Sequence, residues 1–207
     1  MQRRTFDLMV SVGGIMLVIA LVVAGLIFRA NADFAKENVS AQLEAQHISF
    51  KPASALTPEE KAQPGLVKYA GEKVTTGEQA EVFANEYIAL HLKENFDGKT
   101  YSELSSESRA DPDNAELAAG VQTAFRGETL RGLLLTTYAF WTLGDKAEQA
   151  SWAFFGGAAA LLILSLLGLW HYSRTPKKEV MFDAFHLKES APKRHDGSVK
   201  RPARRAG

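Results

Sequence analysis

The chain has 207 residues, 24 basic and 24 acidic side chains, and no cysteine. This length allows one ordinary domain beside membrane segments, and the lack of cysteine excludes disulfides, thiolate metal sites and a cysteine nucleophile. The net charge of zero conceals a sorting along the chain: residues 1–29 carry 3 basic and 1 acidic side chains (+2), residues 30–150 carry 11 and 19 (−8), and residues 171–207 carry 10 and 4 (+6). Such sorting is typical of a protein with two sides of a membrane and not of a nucleic-acid-binding protein.

The first predicted element is a transmembrane helix over residues 8–28. Its 21 uncharged residues are long enough to cross the roughly 30 Å hydrocarbon core. A cleaved signal peptide is the alternative, because Arg3 and Arg4 precede the apolar run and Ala30-Asn31-Ala32 resembles a cleavage site. The run exceeds the roughly 7–15 residues of a signal core, so an uncleaved anchor is favoured.

Residues 29–151 are predicted to form an all-α extracytoplasmic domain. The first helix continues to about residue 47, and prolines interrupt the chain over the next 20 or so residues. Three segments with the spacing of an N-terminal capping box predict further helix starts at Thr57, Thr75 and Thr100.

The last helix of this domain is predicted to begin at Asp111-Pro112 and to run into the second span. It contains residues 130–144, LRGLLLTTYAFWTLG, whose 13 residues between Arg131 and Asp145 reach only about 20 Å and are therefore too few to cross the membrane. This stretch is expected to be helical and outside the hydrocarbon core. The side chains expected to pack against the domain or to interact near the outer interface are Leu134, Tyr138 and Trp141.

The second predicted transmembrane helix spans residues 152–170, with a tryptophan at each end as in the aromatic belts of membrane proteins. Residues 171–207 are predicted to form a disordered basic tail. With two spans, residues 1–7 and this tail lie in the cytoplasm. The lipid bilayer is thus one expected partner.

Small residues in the two spans predict close helix packing. In the second span, Ala153 and Gly157, and likewise Gly156 and Ala160, are four residues apart, which lets helices approach closely. Gly13 and Gly14 are the corresponding candidates in the first span. They could pack the two spans together, or bind a membrane-protein partner or another copy of the chain.

No catalytic, cofactor or metal motif occurs among the residues. His91 has Glu86 and Glu94 nearby in sequence, which makes a carboxylate–imidazole pair conceivable, but a structural histidine is the commoner outcome. The acidic residues lack the dense spacing of a calcium loop, and no P-loop, dinucleotide fingerprint or nucleophile elbow is present. We therefore expect no cofactor, no enzymatic activity and no nucleic-acid partner.

Three segments carry a family resemblance: EQAEVFANEYIALHLKE, GKTYSELSSESRADPDNAEL and FRGETLRGLLLTTYAFWTLG. Their order between two spans resembles a family of actinobacterial two-span integral membrane proteins. The resemblance implies a location and an architecture but no reaction. Some relatives carry an aromatic-ring-opening dioxygenase label, which the residues here do not support, because that chemistry needs two histidines and a carboxylate on iron.

Two functions follow from these patterns. The first is a non-enzymatic accessory or interaction protein of the cell envelope, which a shallow apolar groove near Tyr138 and Trp141 would favour. The second is a membrane-anchored sensor that binds a small ligand or cation through its acidic domain, which a pocket with His91 and converging carboxylates would favour.

The charge sorting predicts that both termini are cytoplasmic. A reporter fused after Gly207 should be active only inside the cell, because the +6 end resists translocation. Activity only outside the cell would contradict this topology. N-terminal sequencing of the mature protein should start upstream of Ala32, since cleavage there would leave a single span.

Overall fold

The computed structural model of the protein describes residues 3–174. Within this range the secondary structure is helical and includes no β-strand, which confirms the predicted all-α class. An isolated antiparallel bridge joins Ser49 to Lys73 and holds together the two ends of the segment formed by residues 50–72. The predicted disorder of the tail concerns residues that, from 175 onward, lie outside the described range.

Two long helices dominate the sequence. Helix α1 comprises Arg3–Gln46, and helix α7 comprises Ala115–Arg174. Each contains a segment that is long and apolar enough to cross a membrane. Residues 130–144 and 152–170 belong to α7 without a break, as predicted. The predicted start at Pro112 is wrong by three residues, because the Asn114 side chain accepts the Leu117 N–H at 3.0 Å and thereby caps the helix at Ala115.

Short helices lie between α1 and α7. They are a 3₁₀ turn over Ala53–Ala55, α2 over Pro58–Lys61, α3 over Pro64–Lys68, α4 over Gly77–Val82, a π-helix over Phe83–Ile88, α5 over Ala89–Asn95 and α6 over Tyr101–Ala110. The capping boxes predicted at Thr57 and Thr100 are confirmed. The box predicted at Thr75 is wrong by one residue: Thr76 has the extended cap conformation, and Gln79 completes the box.

The chain divides into two compact units. Among the described residues, the smaller one combines residues 3–17 with residues 160–174, and the larger one is formed by residues 18–159. In the smaller unit, α1 and α7 meet through small residues, with Gly14 against Ser165 and Gly168 against Ser11.

The core of the larger unit joins the two long helices to the short ones. Its buried side chains are Val39, Leu43, Phe50, Leu66, Val74, Ala80, Phe83, Ala84, Ile88 and Leu134. Phe50 packs on Phe83 with ring centroids 5.4 Å apart and on Tyr69 at 5.6 Å. The larger unit thus buries apolar surface between the two long helices and the short ones, which stabilises short helices that would not persist alone.

Below this core, α1 and α7 of the larger unit meet through small side chains repeated every seven residues. The buried positions are Val18, Gly25 and Ala32 on α1, and Gly144, Ser151 and Ala158 on α7. A Cβ at Gly25 would lie 2.6 Å from the Phe155 ring, so only glycine permits this contact. A seven-residue repeat is the spacing of a coiled coil, and small residues let the two backbones approach closely.

Replacing Leu134 with Asp should unfold the larger unit. Leu134 is 4 % exposed in the core, and burying a carboxylate there should lower the free energy of unfolding by more than about 4 kcal/mol. The matched control is Leu143→Asp, because Leu143 is 64 % exposed and its change should cost no more than about 0.5 kcal/mol. Protease resistance and helix content of the detergent-purified proteins distinguish the two variants; equal resistance would show that Leu134 is not a core residue.

Candidate functional site

Only some of the small residues that were predicted to pack the two spans contact the other long helix in the structure. A Cβ at Gly14 would overlap Ser165, and one at Gly157 would touch Leu21 at 4.0 Å. By contrast, a Cβ at Gly13 or Gly156 would meet nothing within 4 Å. Ala153 and Ala160 are exposed. The four-residue spacing therefore predicted only part of the contact between α1 and α7. The recurrence of small residues every seven positions on both helices would have predicted the contacting faces.

The structure places the other three predicted residues on the side of α7 that holds the short helices. Leu134 lies in the core, and Tyr138 is half-buried. Trp141 donates from Nε1 to Glu78 Oε1 at 2.7 Å, and the Lys36 ammonium lies 5.6 Å from its ring centroid. A Cβ at Gly77 would overlap the Trp141 side chain, so glycine at the start of α4 allows this helix to dock there.

An ion-pair network joins α1 to α7 between Trp141 and Trp152. Arg29 donates to Glu148 Oε1 at 2.7 Å, while Lys36 contacts Glu148 Oε2 at 2.6 Å and Asp145 at 2.7 Å. Arg29 also pairs with Asp33 at 3.1 Å. The network pairs these charged side chains with one another and ties α1 to α7 between the two tryptophans.

A second charge cluster surrounds Glu60, which is only 1 % exposed. Its Oε1 accepts from the Lys51 ammonium at 2.7 Å and lies 3.3 Å from His91 Nε2, and its Oε2 accepts the Thr57 N–H at 2.9 Å. His91 Nδ1 lies 2.7 Å from the Tyr87 carbonyl. Both ring nitrogens of His91 thus face acceptor oxygens.

The cluster satisfies the Glu60 carboxylate from inside the chain. Burial acts to raise the pKa of Glu60, but the hydrogen bonds from Lys51 and Thr57 and the positive charges of Lys51 and His91 outweigh it, so the pKa lies below its ordinary value. The hydrogen bond with Glu60 raises the pKa of Lys51. A carboxylate with these partners is a structural junction rather than an open ligand.

The carboxylate that His91 meets is not one of those suggested by sequence spacing. Glu86 instead accepts the Gly65 N–H at 2.6 Å and the Leu66 N–H at 3.2 Å, and it thereby holds the start of α3. Glu60 is 31 positions from His91, so no local pattern could have paired them. Over residues 3–174, His, Asp and Glu side chains form no group of three that could hold a metal ion.

An uncharged groove runs between α1 and α7 on another surface of the larger unit. The side chains along it are Asn38, Gln42 and Gln46 of α1, with Leu130, Leu133, Thr136, Thr137 and Phe140 of α7. It holds two cavities of about 260 and 360 Å³, floored by Val39, Leu43 and Leu134. We call this surface the α1–α7 groove. Tyr138 and Trp141 do not line it, and its walls carry amide and hydroxyl side chains as well as apolar ones.

Comparisons of the chain with protein families, with curated proteins and with solved structures give no match. The resemblance to the actinobacterial two-span proteins therefore stays a prediction.

Replacing Glu60 with Gln should destabilise the larger unit by about 1.5–3 kcal/mol, since the change removes a buried charge-assisted hydrogen bond but keeps a residue that can complete the capping box, as Gln79 does. The matched control is Glu103→Gln in the exposed box at Thr100, where no measurable loss is expected. Thermal unfolding in detergent measures both.

The same pair gives a pH prediction. The folded-state pKa of Glu60 is lowered, so its contribution to stability is complete above its ordinary pKa and is lost as pH falls through the lowered value. The stability gap between the wild type and Glu60→Gln should be constant above about pH 5 and shrink below it. A gap that widens in acid would contradict the ion-paired state.

Proposed function

We propose that the protein is a non-enzymatic accessory protein of the cell membrane, whose helical domain binds another membrane-anchored protein through the α1–α7 groove. The proposed layout is residues 1–7 in the cytoplasm, span 8–28, extracytoplasmic domain 29–151, span 152–170 and a basic cytoplasmic tail 171–207. The two helices with apolar, membrane-length segments and the charge sorting of +2, −8 and +6 support this layout.

The position of the groove supports a protein as its occupant and not lipid. Phe140 lies 12 residues before Trp152, which is about 18 Å along the helix. In the proposed layout Trp152 lies at the edge of the hydrocarbon core, and the headgroup layer beyond it is about 5–8 Å thick. A groove about 18 Å from Trp152 is then in water. Asp145 and Glu148, with their ion pairs, lie between the groove and Trp152.

The observation that carries the proposal is the contrast between the two candidate sites. The Glu60 carboxylate is occupied on both oxygens by Lys51 and Thr57. The groove instead leaves apolar side chains open to water, with Leu133 61 % and Phe140 49 % exposed. Apolar surface that stays exposed around a cavity is typical of an interaction site.

A photo-crosslinking amino acid at position 140 tests the proposal in intact cells. We expect a discrete adduct between the full-length protein and another polypeptide chain, because Phe140 borders the groove. The control is the same amino acid at Ala139, which is exposed one position away but does not line the groove. Adducts with lipid alone, or no adduct at position 140, would refute the proposed function.

A further inference from the structure

We propose that the occupant of the α1–α7 groove is a second copy of this chain. The two copies would be related by a two-fold axis along the membrane normal, so that α1 of each lies beside α7 of the other. This inference rests on the function proposed above and names its partner. Phe140 of each copy would then pack against the α1 side of the other copy's groove, beside Asn38 and Gln42.

Membrane insertion places the same residue of two neighbouring copies at the same height above the membrane. Every copy inserts with the same orientation, so Phe140 of one copy lies at the height of Phe140 of the next. Asn38 lies at nearly this height too, because it lines the same 260 Å³ cavity as Phe140. A groove along the helices therefore meets its own copy in register, and closed two-fold pairs are the commonest form of homo-oligomer.

Charge restricts where a second copy can approach. Residues 30–150 carry a net charge of −8, so two copies repel each other over most orientations. The groove is lined by uncharged side chains, and the copies can approach there without placing carboxylates together. A partner selected by opposite charge would bind the acidic surfaces instead.

The polar groups of the groove can pair with their own kind. Gln42 donates to Asn38 Oδ1 at 2.6 Å, which leaves the Asn38 amide hydrogens and the Gln42 carbonyl without a protein partner among residues 3–174. The Thr136 and Thr137 hydroxyls donate to carbonyls of their own helix at 2.9 Å, so their oxygens remain acceptors. The groove therefore presents both donors and acceptors, so these groups have hydrogen-bond partners of the right kind on a second copy.

The lack of cysteine permits a direct test on the full-length protein in its native membrane. Phe140→Cys alone, and Phe140→Cys co-expressed with a differently tagged Asn38→Cys chain, are oxidised and analysed without reductant. The controls are Ala139→Cys and Glu37→Cys, whose side chains are exposed at the same heights but do not line the groove. Because binding raises the effective concentration of the two thiols, we expect about tenfold more disulfide dimer from the groove positions than from the controls.

Each result decides the proposal. A dimer through Phe140, with itself or with Asn38, that exceeds the controls supports a second copy. Equal yields at groove and control positions indicate random collision and overturn it, and so does the absence of any disulfide. If no disulfide forms while the photo-crosslinker at position 140 captures a different protein, the accessory function stands and self-association is wrong; if neither crosslink forms, both fail.

A charge substitution provides an independent readout. Phe140→Lys places two like charges across the two-fold axis and should convert a dimer in mild detergent to a monomer, as measured by mass in solution. Ala139→Lys adds the same charge outside the groove and should leave the dimer intact. A wild-type chain that is monomeric in mild detergent and also fails to crosslink in the membrane overturns the proposal.

Discussion

The close contact of α1 with α7 is the constraint on which the larger unit depends. Gly25, Ala32 and Gly144 bring the two backbones together, and the ion pairs of Arg29 and Lys36 with α7 reinforce this approach. Helix separation depends on the side chains at the contact, so the larger Val39, Leu43 and Leu134 require more room. The cavities of the groove lie at these larger residues. One helix pair thus explains both the tight region and the groove.

Side-chain carboxylates tie the short helices α2 and α3 to neighbouring segments. Glu60 completes the box that starts α2 and also binds Lys51 and His91. Glu86 holds the start of α3 from the π-helix, whose wider turn is a local departure often found at sites with a special role. Here the role is structural: the buried Glu60 and the half-buried Glu86 connect helices that are too short to be stable alone.

The proposed function depends on the side chains that the larger unit leaves open to water. The buried charges have partners within the domain, and the ion pairs near Trp152 connect α1 with α7. Along the groove the apolar side chains and the amides of Asn38 and Gln42 remain accessible. Because water solvates amides well but apolar side chains poorly, such a surface gains most from a protein partner.

The sequence by itself determined the features that depend on local pattern. The lengths of the apolar runs predicted two membrane-length helices, and the capping boxes at Thr57 and Thr100 predicted helix starts in an all-α domain. Both signals are local, because propensity and periodicity act within a few residues. The box at Thr75 failed by one residue, since both threonines at this turn can cap and only the fold selected Thr76.

Only the tertiary structure decided which distant residues meet. Glu60 and His91, or Asn38 and Phe140, are brought together by packing over 31 and 102 sequence positions, and no local spacing encodes such pairs. The helix contact is an intermediate case. The small residues that recur every seven positions can be recognised in the sequence. Pairs four positions apart, such as Gly156 and Ala160, give a similar pattern without making the contact. Only packing therefore shows which face of each helix is covered.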